Sequence, residues 1–386
     1  MIQSSSTPGT VSELDGKLCV AFCGPLMGEG RPAAGGYRAG NRRLIAGLRG
    51  KAVNVLEFAY PTPAPTRSRP YKGIAYVIGL LRVGLRLIIH RREWDLIHIT
   101  PLCRGFVFIE ILLFAIVLLM NRPIVFHVRT GIFVSEYWRR GIIYRRFIDF
   151  LIRRSTCIAI QGRLYEEFVM QRQAKKVLYL PNFVPATLVV PADDTIGAEQ
   201  TTGDIQLAYV GRIAVEKGIE TILEAHRALC DRGIPAQLTI IGDGPASYIK
   251  ALQDRHDARD VRWLGAVPNV DITTAICGMH FFLFPTKHYG EGHSNSLTEA
   301  MSEGLVPICS DHGFNRDVVG RTGRGLPIEA DGKAYANSVA RVWQSGRWPS
   351  LSAAARTRVF QNYSSEVVLG RLIAQYSSLV GARCEQ

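Results

Sequence analysis

Short apolar runs, each followed by a turn and then by apolar positions at helical spacing, recur along the chain. That is the pattern of parallel strands joined by crossover helices. In the first half it predicts strands at Lys17–Cys23, Ala52–Phe58, Leu96–Ile99, Ile124–Val128, Cys157–Ile160 and Val177–Leu180, with a helix over Tyr37–Leu48. From Pro185 to Asp204 the helical periodicity stops and Pro, Thr, Gly and acidic residues gather, as in a linker. A second series then predicts strands at Ile205–Val210, Gln237–Ile241, Val261–Leu264 and Phe281–Phe284, and helices at Ile219–Arg232, Ala246–Arg255 and Ser365–Leu379. The fold class is α/β, with two Rossmann-like domains at 1–187 and 205–360, a linker at 188–204 and a C-terminal segment at 361–386.

Two apolar stretches raise the question of a membrane. Gly105–Met120 has 16 residues and contains Glu110, short of the ~20 apolar residues that span a bilayer, and is expected to be a buried helix. Tyr71–Arg92 interleaves Leu, Ile and Val with Lys72, Arg82, Arg86, Arg91 and Arg92. Helices that lie in a membrane interface are built this way, and so is a solvated basic face on an ordinary helix.

Charge sharpens that question. The net charge of +13 is carried entirely by residues 1–187, where 27 Lys+Arg face 11 Asp+Glu, whereas 188–386 has 19 against 22. One surface of the first half is therefore expected to face an anionic partner: a membrane, a phosphorylated lipid or a nucleic acid. No stacking motif or recognition module supports nucleic acid. The polar start of the chain lacks the pattern of a secretory signal, so a cytoplasmic protein is expected, peripheral at the membrane face. The eight cysteines form no CxxC pair and have no histidine at zinc-finger spacing. They are expected to be reduced core residues, with no metal site.

The block LAYVGRIAVEKGIETIL, Leu207–Leu223, places Arg212 and Lys217 in the loop between a strand and the next helix. Two cations beside a helix N-terminus form a site for a diphosphate, unless both are merely solvated. A second block, PTKHYGEGHSNSLTEAMSEGLVPICSD, carries Glu291 and Glu299 with small polar residues between them and a helix beginning near Ser296. Eight residues of helix cover ~12 Å, whereas paired glycosidase carboxylates lie roughly 5 to 9.5 Å apart. These glutamates suit the two ends of an extended ligand better than one bond. Ser296 and Glu299 also fit a capping box, which would exist without any ligand.

The succession GR-x4-K-G, then IGDGP at Ile241–Pro245, then FPT and EGHSNSLTEAM with E-x7-E resembles glycosyltransferase family 4, retaining enzymes of the GT-B fold. The likeness covers most of 205–380. It implies that Arg212 and Lys217 bind the donor diphosphate, Glu291 the donor sugar, Asn295 and Ser296 its phosphates, Glu299 the ribose and the loop around Val267 the base. Gly292, His293 and Ser294 complete the donor segment. Gly35-Gly36 is similar to the glycine-rich first loop, which in the family borders donor phosphates and acceptor. FHVRTGIF is similar to the family's H-x-H-G segment facing the transferred sugar, which carries over His127. Arg129 stands in place of the second His, a candidate contact for an acceptor phosphate. The final helix resembles the one that crosses back to the N-terminal domain.

The resemblance implies a hexosyl transfer from a nucleotide sugar of unassigned base, with retained configuration and no metal or other cofactor. The chain has no D-x-D motif. The expected acceptor is lipid-linked or phosphorylated, in cell-surface polysaccharide or lipopolysaccharide synthesis. A GT-B nucleotide-sugar epimerase and a non-catalytic nucleotide-binding relative are the alternatives.

Overall fold

The computed structural model describes residues 18–26, 36–61, 69–102, 107–185, 203–256 and 260–384. The first half runs β1 (Cys19–Gly24), α1 (Gly36–Gly50), β2 (Asn54–Ala59), α2 (Arg69–Ile89), β3 (Leu96–Ile99) and α3 (Val107–Leu119). It continues with β4 (Ile124–Val128), α4 (Phe133–Arg139), α5 (Ile142–Arg154), β5 (Cys157–Ile160), α6 (Glu166–Met170) and β6 (Val177–Tyr179). The second half runs β7 (Ile205–Val210), α7 (Ile219–Cys230), β8 (Ala236–Ile241), α8 (Ala246–Arg255), β9 (Val261–Gly265), α9 (Ile272–Ile276) and β10 (Phe281–Phe284). Then come α10 (Asn295–Ser302), β11 (Val306–Ser310), α11 (Asn315–Val319), β12 (Arg324–Leu326), α12 (Gly332–Gln344), α13 (Trp348–Tyr363) and α14 (Ser365–Cys384).

The strands form two six-stranded parallel sheets, ordered β2-β1-β3-β4-β5-β6 and β12-β11-β10-β7-β8-β9. In each, the chain starts on an inner strand and reverses its winding, which opens a crevice at the C-terminal ends of the strands. The strand interiors are continuous apolar runs because helices cover both faces. Alternation along the first sheet decides which helices those are. Val20, Phe22, Leu96, Val125, Cys157 and Ala159 pack against Leu44, Ile45 and Leu48 of α1 and Val368, Leu369, Leu372 and Tyr376 of α14. Ala21, Cys23, Ile97, Ile99, Phe126 and Ile158 point the other way, with Leu80 and Val83 of α2, Leu113 and Phe114 of α3 and Ile148 and Leu151 of α5. The last helix of the chain is thus part of the first sheet's core, and Ser365 N–H donates to Val184 O at 2.9 Å where it arrives.

Three expectations need correction. Gly105–Met120 is not a buried helix: its described part, α3, buries Leu113, Phe114 and Val117 but leaves Leu112 and Leu119 exposed, Leu119 at 88%. A helix laid on a sheet buries one stripe only, however apolar its other side is. The cysteines are not all core residues, since Cys230 and Cys277 are exposed while Cys23, Cys157 and Cys309 are buried. Finally, β11, β12, α12 and α13 are elements that the hydrophobic pattern did not predict. The expected linker lies almost wholly outside the described residues.

Candidate active site

The loop after β7 is fixed before any ligand is considered. Tyr209 donates its hydroxyl to Arg212 O at 2.8 Å, and Ile213 N–H reaches Asp243 O in the loop after β8. A single 3-10 turn, Val215–Lys217, is ended by Gly218 at φ +72°. A side chain there would meet the Pro285 carbonyl, so only glycine fits both the left-handed backbone and the approach of the β10 loop. Lys287 N–H then bonds Glu216 O, and the two loops are held as one.

This arrangement buries Lys217 beside Glu291. Lys217 Nζ lies 2.6 Å from Glu291 Oε2, which also accepts from the Thr286 hydroxyl at 2.7 Å. A buried ammonium and carboxylate persist only when paired and hydrogen-bonded, and both conditions hold here. Arg212, by contrast, extends into solvent, 64% exposed, with Glu216 at 3.9 Å as a loose partner.

The two halves meet at this point. A side chain at Gly131, in the segment after β4, would collide with the Glu291 carbonyl, so a glycine is required for the first half to touch this turn. Asn182 donates to His293 O at 2.8 Å, and Gln161 Oε1 accepts from His293 N–H at 3.2 Å. His293 Nε2 pairs with the Thr298 hydroxyl, and burial, with Arg129 and Arg358 nearby, pushes its pKa down to about 3.

Glu299 sits on α10, buried, with Arg43 Nη2 of α1 2.7 Å from its Oε1. The capping box expected from Ser296 and Glu299 is not formed. The helix starts at Asn295 with Ser294 as N-cap and no side-chain cap bond, and the Glu299 carboxylate is drawn to Arg43 instead. Ser294 and Ser296 hydroxyls are 3.1 Å apart, and the buried Asn295 Oδ1 has no partner among the described residues. These groups line the first turn of α10, where free amides favour an anion.

On the first sheet, His127 and Arg129 are buried at the end of β4. Arg129 is held by neutral oxygens: Nη1 on Asn41 Oδ1 at 2.9 Å and Nη2 on Asn182 Oδ1 at 2.7 Å. Gly40 leaves the room that the guanidinium fills. Burial, with Arg43 adding repulsion and Tyr37 opposing both, brings its pKa down to about 10. No described carboxylate forms an ion pair with it. A small cavity lined by Gly40, Arg43, His127, Arg129 and Asn182 opens here.

The structure therefore gathers His127, Arg129, Lys217, Glu291, Gly292, His293, Ser294, Asn295, Ser296 and Glu299 along one boundary, with Arg212 at its solvent edge. Val267 is half-buried in the loop after β9. Gly36 opens α1, and Gly35 lies outside the described residues. Arg43, Asn41, Gln161, Asn182 and Thr286 were not anticipated, because isolated polar residues carry no periodic signal. Among the described residues no cluster of His, Cys, Asp or Glu is arranged to hold a metal ion.

Residues 204–345 match the family model for glycosyl transferases group 1. A GDP-mannose-dependent alpha-mannosyltransferase of Mycolicibacterium smegmatis is 28% identical over 179 residues, 46% of this chain and 44% of that protein. The capsular polysaccharide biosynthesis glycosyltransferase CapM of Staphylococcus aureus is 22% identical over 182 residues, 45% of this chain and 46% of that protein. The matched region thus spans about half the length of these curated relatives. Among solved structures, sucrose-phosphate synthase of Thermosynechococcus elongatus superposes with a TM-score of 0.71 at 19% identity, covering 95% of this chain and 100% of that one. HepE of Anabaena in complex with UDP gives 0.68 at 14% identity, over 94% and 100%.

Proposed function

Because the chain belongs to the group 1 glycosyltransferases of GT-B fold, we propose that it transfers a sugar from a nucleotide-sugar donor to a lipid-linked or phosphorylated acceptor in cell-surface polysaccharide assembly. The observation that carries this reading is the convergence of Lys217 and Glu291 of the second half on Gly131 of the first. A donor lying along that line has cations at its diphosphate and a carboxylate at its sugar. HepE, of the same fold, was solved with UDP-glucose, and the mannosyltransferase relative is named for GDP-mannose. A nucleotide-sugar donor accords with both.

In this reading Arg212, Lys217 and the first-turn amides of α10 stabilise the charge that develops on the leaving diphosphate. Charge supplied by fixed side chains and amides is what lets the transfer proceed without a metal. Glu291 and His127 orient the sugar, Glu299 the ribose, and the Val267 loop borders the base. Configuration is retained, as in the family the sequence resembles. Arg129, a buried cation held by two neutral amides, suits an acceptor phosphate: the anion would supply the charge that the fold leaves out. Incubating the protein with nucleotide sugars and polyprenyl-phosphate-linked saccharides, and following product by mass, tests the reading. Absence of transfer and of donor binding would favour a non-catalytic relative.

The acceptor also places the protein at a membrane surface. On α2, Ile74, Ile78, Leu81, Leu85 and Ile88 are exposed, spaced so that they form one stripe. Leu112 and Leu119 of α3 and Ile142 and Ile143 of α5 are exposed on the same helical layer, with Arg82, Arg86 and Arg146 exposed among them. Apolar surface of this extent is uncommon on a protein bathed only in water, and its arginines match anionic headgroups at about 1 kcal/mol each. No described helix is long and apolar enough to cross a membrane, and the attachment we propose is peripheral, through this face.

A further inference from the structure

A chain of hydrogen bonds runs through the first sheet from the last helix to the cavity. Tyr376 of α14 places its hydroxyl 2.6 Å from His98 Nδ1. His98 Nε2 lies 3.0 Å from His127 Nδ1. The parity of the sheet makes this possible. His98 of β3 pairs in register with Val125 of β4, so His98 and His127 project from the face that α1 and α14 cover. All three residues are buried, and Phe22 stacks on the His98 ring at 4.9 Å.

We infer that Tyr376 and His98 are positioning residues that set the tautomer of His127, so that its Nε2 carries the hydrogen facing the cavity. The inference rests on the glycosyltransferase reading only for what that hydrogen meets. The tautomer itself follows from hydrogen-bond accounting. A buried hydroxyl must donate, and among the described residues the one partner of the Tyr376 oxygen is His98 Nδ1. His98 then accepts at Nδ1. Burial, with Arg129 close, pushes its pKa down to about 3, so the ring is neutral and carries its single hydrogen on Nε2. That hydrogen is donated to His127 Nδ1. His127, held well below the usual range by burial, with Arg129 and His98 adding to it and the Leu180 backbone opposing, is neutral too and keeps its hydrogen on Nε2.

In the opposite polarity His127 would donate to His98, His98 to Tyr376, and the tyrosine hydrogen would be left inside the core without an acceptor. Among the described residues His127 Nε2 makes no hydrogen bond of good geometry, although the Leu180 backbone lies near the ring, and the ring lines the cavity with Arg43 and Arg129. A fixed N–H donor at this place suits a sugar hydroxyl. Its direction would otherwise be free to invert, presenting a lone pair instead. The C-terminal helix thereby contributes to the site without touching it.

The test is the ring nitrogen spectrum of His127 in the protein labelled with nitrogen-15, together with the kinetics of Tyr376→Phe. In the wild type His127 is expected to show a protonated Nε2 and a bare Nδ1, with no donor added. Tyr376→Phe removes the atom that fixes the polarity, and both tautomers should then be seen. For the variant, KM for the nucleotide sugar should rise about three- to tenfold, the worth of one hydrogen bond, while affinity for the nucleoside diphosphate alone stays unchanged. A merely structural tyrosine would alter neither the tautomer nor the sugar-specific part of binding. A wild-type His127 protonated on Nδ1, or a variant with an unchanged tautomer, overturns the inference. The wild-type spectrum decides this even if the variant fails to fold. Should no nucleotide sugar bind the wild type, the glycosyltransferase reading fails while the tautomer result stands by itself.

Discussion

Arg43 on α1 and Glu299 on α10 form an ion pair at 2.7 Å between the two halves of the chain, and the same guanidinium donates to the Phe183 carbonyl at 3.0 Å. With side-chain exposures of 22% and 8%, the pair is shielded enough that losing one partner leaves the other poorly solvated. Arg43→Ala is expected to lower stability by about 2 kcal/mol, and the double variant Arg43→Ala/Glu299→Ala by clearly less than the sum of the single ones. A double-mutant cycle in urea measures this coupling. Strict additivity would mean that the contact is incidental.

Arg212 and Lys217 separate catalytic from structural loss. Arg212 is largely exposed and loosely paired, so Arg212→Ala should leave stability within about 0.5 kcal/mol of wild type while reducing kcat/KM by roughly 100-fold. Lys217→Ala should lose as much activity and also melt earlier, because among the described residues the Glu291 carboxylate then keeps only the Thr286 hydroxyl. Paired melting curves and initial rates check both. An active Arg212→Ala would remove this arginine from the diphosphate site.

Glu110 supplies a pH signature away from the site. Its Oε1 accepts from Leu102 N–H at 2.9 Å and from the Tyr76 hydroxyl at 3.3 Å, while its buried Oε2 has no partner among the described residues. Burial dominates these bonds and raises its pKa from 4.5 to about 7. The neutral form is therefore the one the fold prefers. The stability this carboxyl contributes is complete below pH 4.5, declines as pH rises to about 7 and is lost above, by up to about 3 kcal/mol. Glu110→Gln keeps the acceptor and cannot ionise, so it should melt above wild type at pH 8 and close to it at pH 4.5. Identical curves at pH 8 would show that the carboxyl ionises there without penalty.

Much of the scaffold was legible in the sequence, because a strand buried on both faces reads as an unbroken apolar run. Leu96–Ile99, Ile124–Val128, Cys157–Ile160, Ile205–Val210 and Phe281–Phe284 are strands at the bounds expected from that rule. β11 escaped because Pro307 interrupts it and it directly follows the polar site segment. The three-residue β12 has too little pattern to read. The second half of the site was visible as a motif, since Lys217 and Glu291 lie in continuous loops. Its complement in the first half was not. Asn41, Gln161 and Asn182 meet Arg129 and His293 only through contacts distant in sequence, and no local spacing encodes such a meeting.

The exposed layer of α2, α3 and α5 makes its own prediction. The protein should sediment with vesicles containing anionic lipid, less with neutral ones, and release partly at high salt as screening weakens the arginine contribution. Replacing Ile78, Leu81 and Leu85 by Ser removes three apolar side chains worth about 1.5–3 kcal/mol each when buried, and should reduce vesicle binding at least tenfold. Loss of a dimer, with vesicle binding unchanged, would instead assign the stripe to contact between two copies of the chain.

The most direct test of the central claim is thermal stabilisation of the protein by UDP-, GDP-, ADP- and CMP-sugars, compared with Lys217→Ala and Glu299→Ala. A ligand that binds only the folded state at 100 times its Kd stabilises by about 2.7 kcal/mol, a shift readily measured. The account predicts a shift with one nucleotide class in the wild type, lost or strongly reduced in both variants. No shift with any nucleotide sugar, or a shift that both variants retain in full, would contradict a donor site built on Lys217, Glu291 and Glu299.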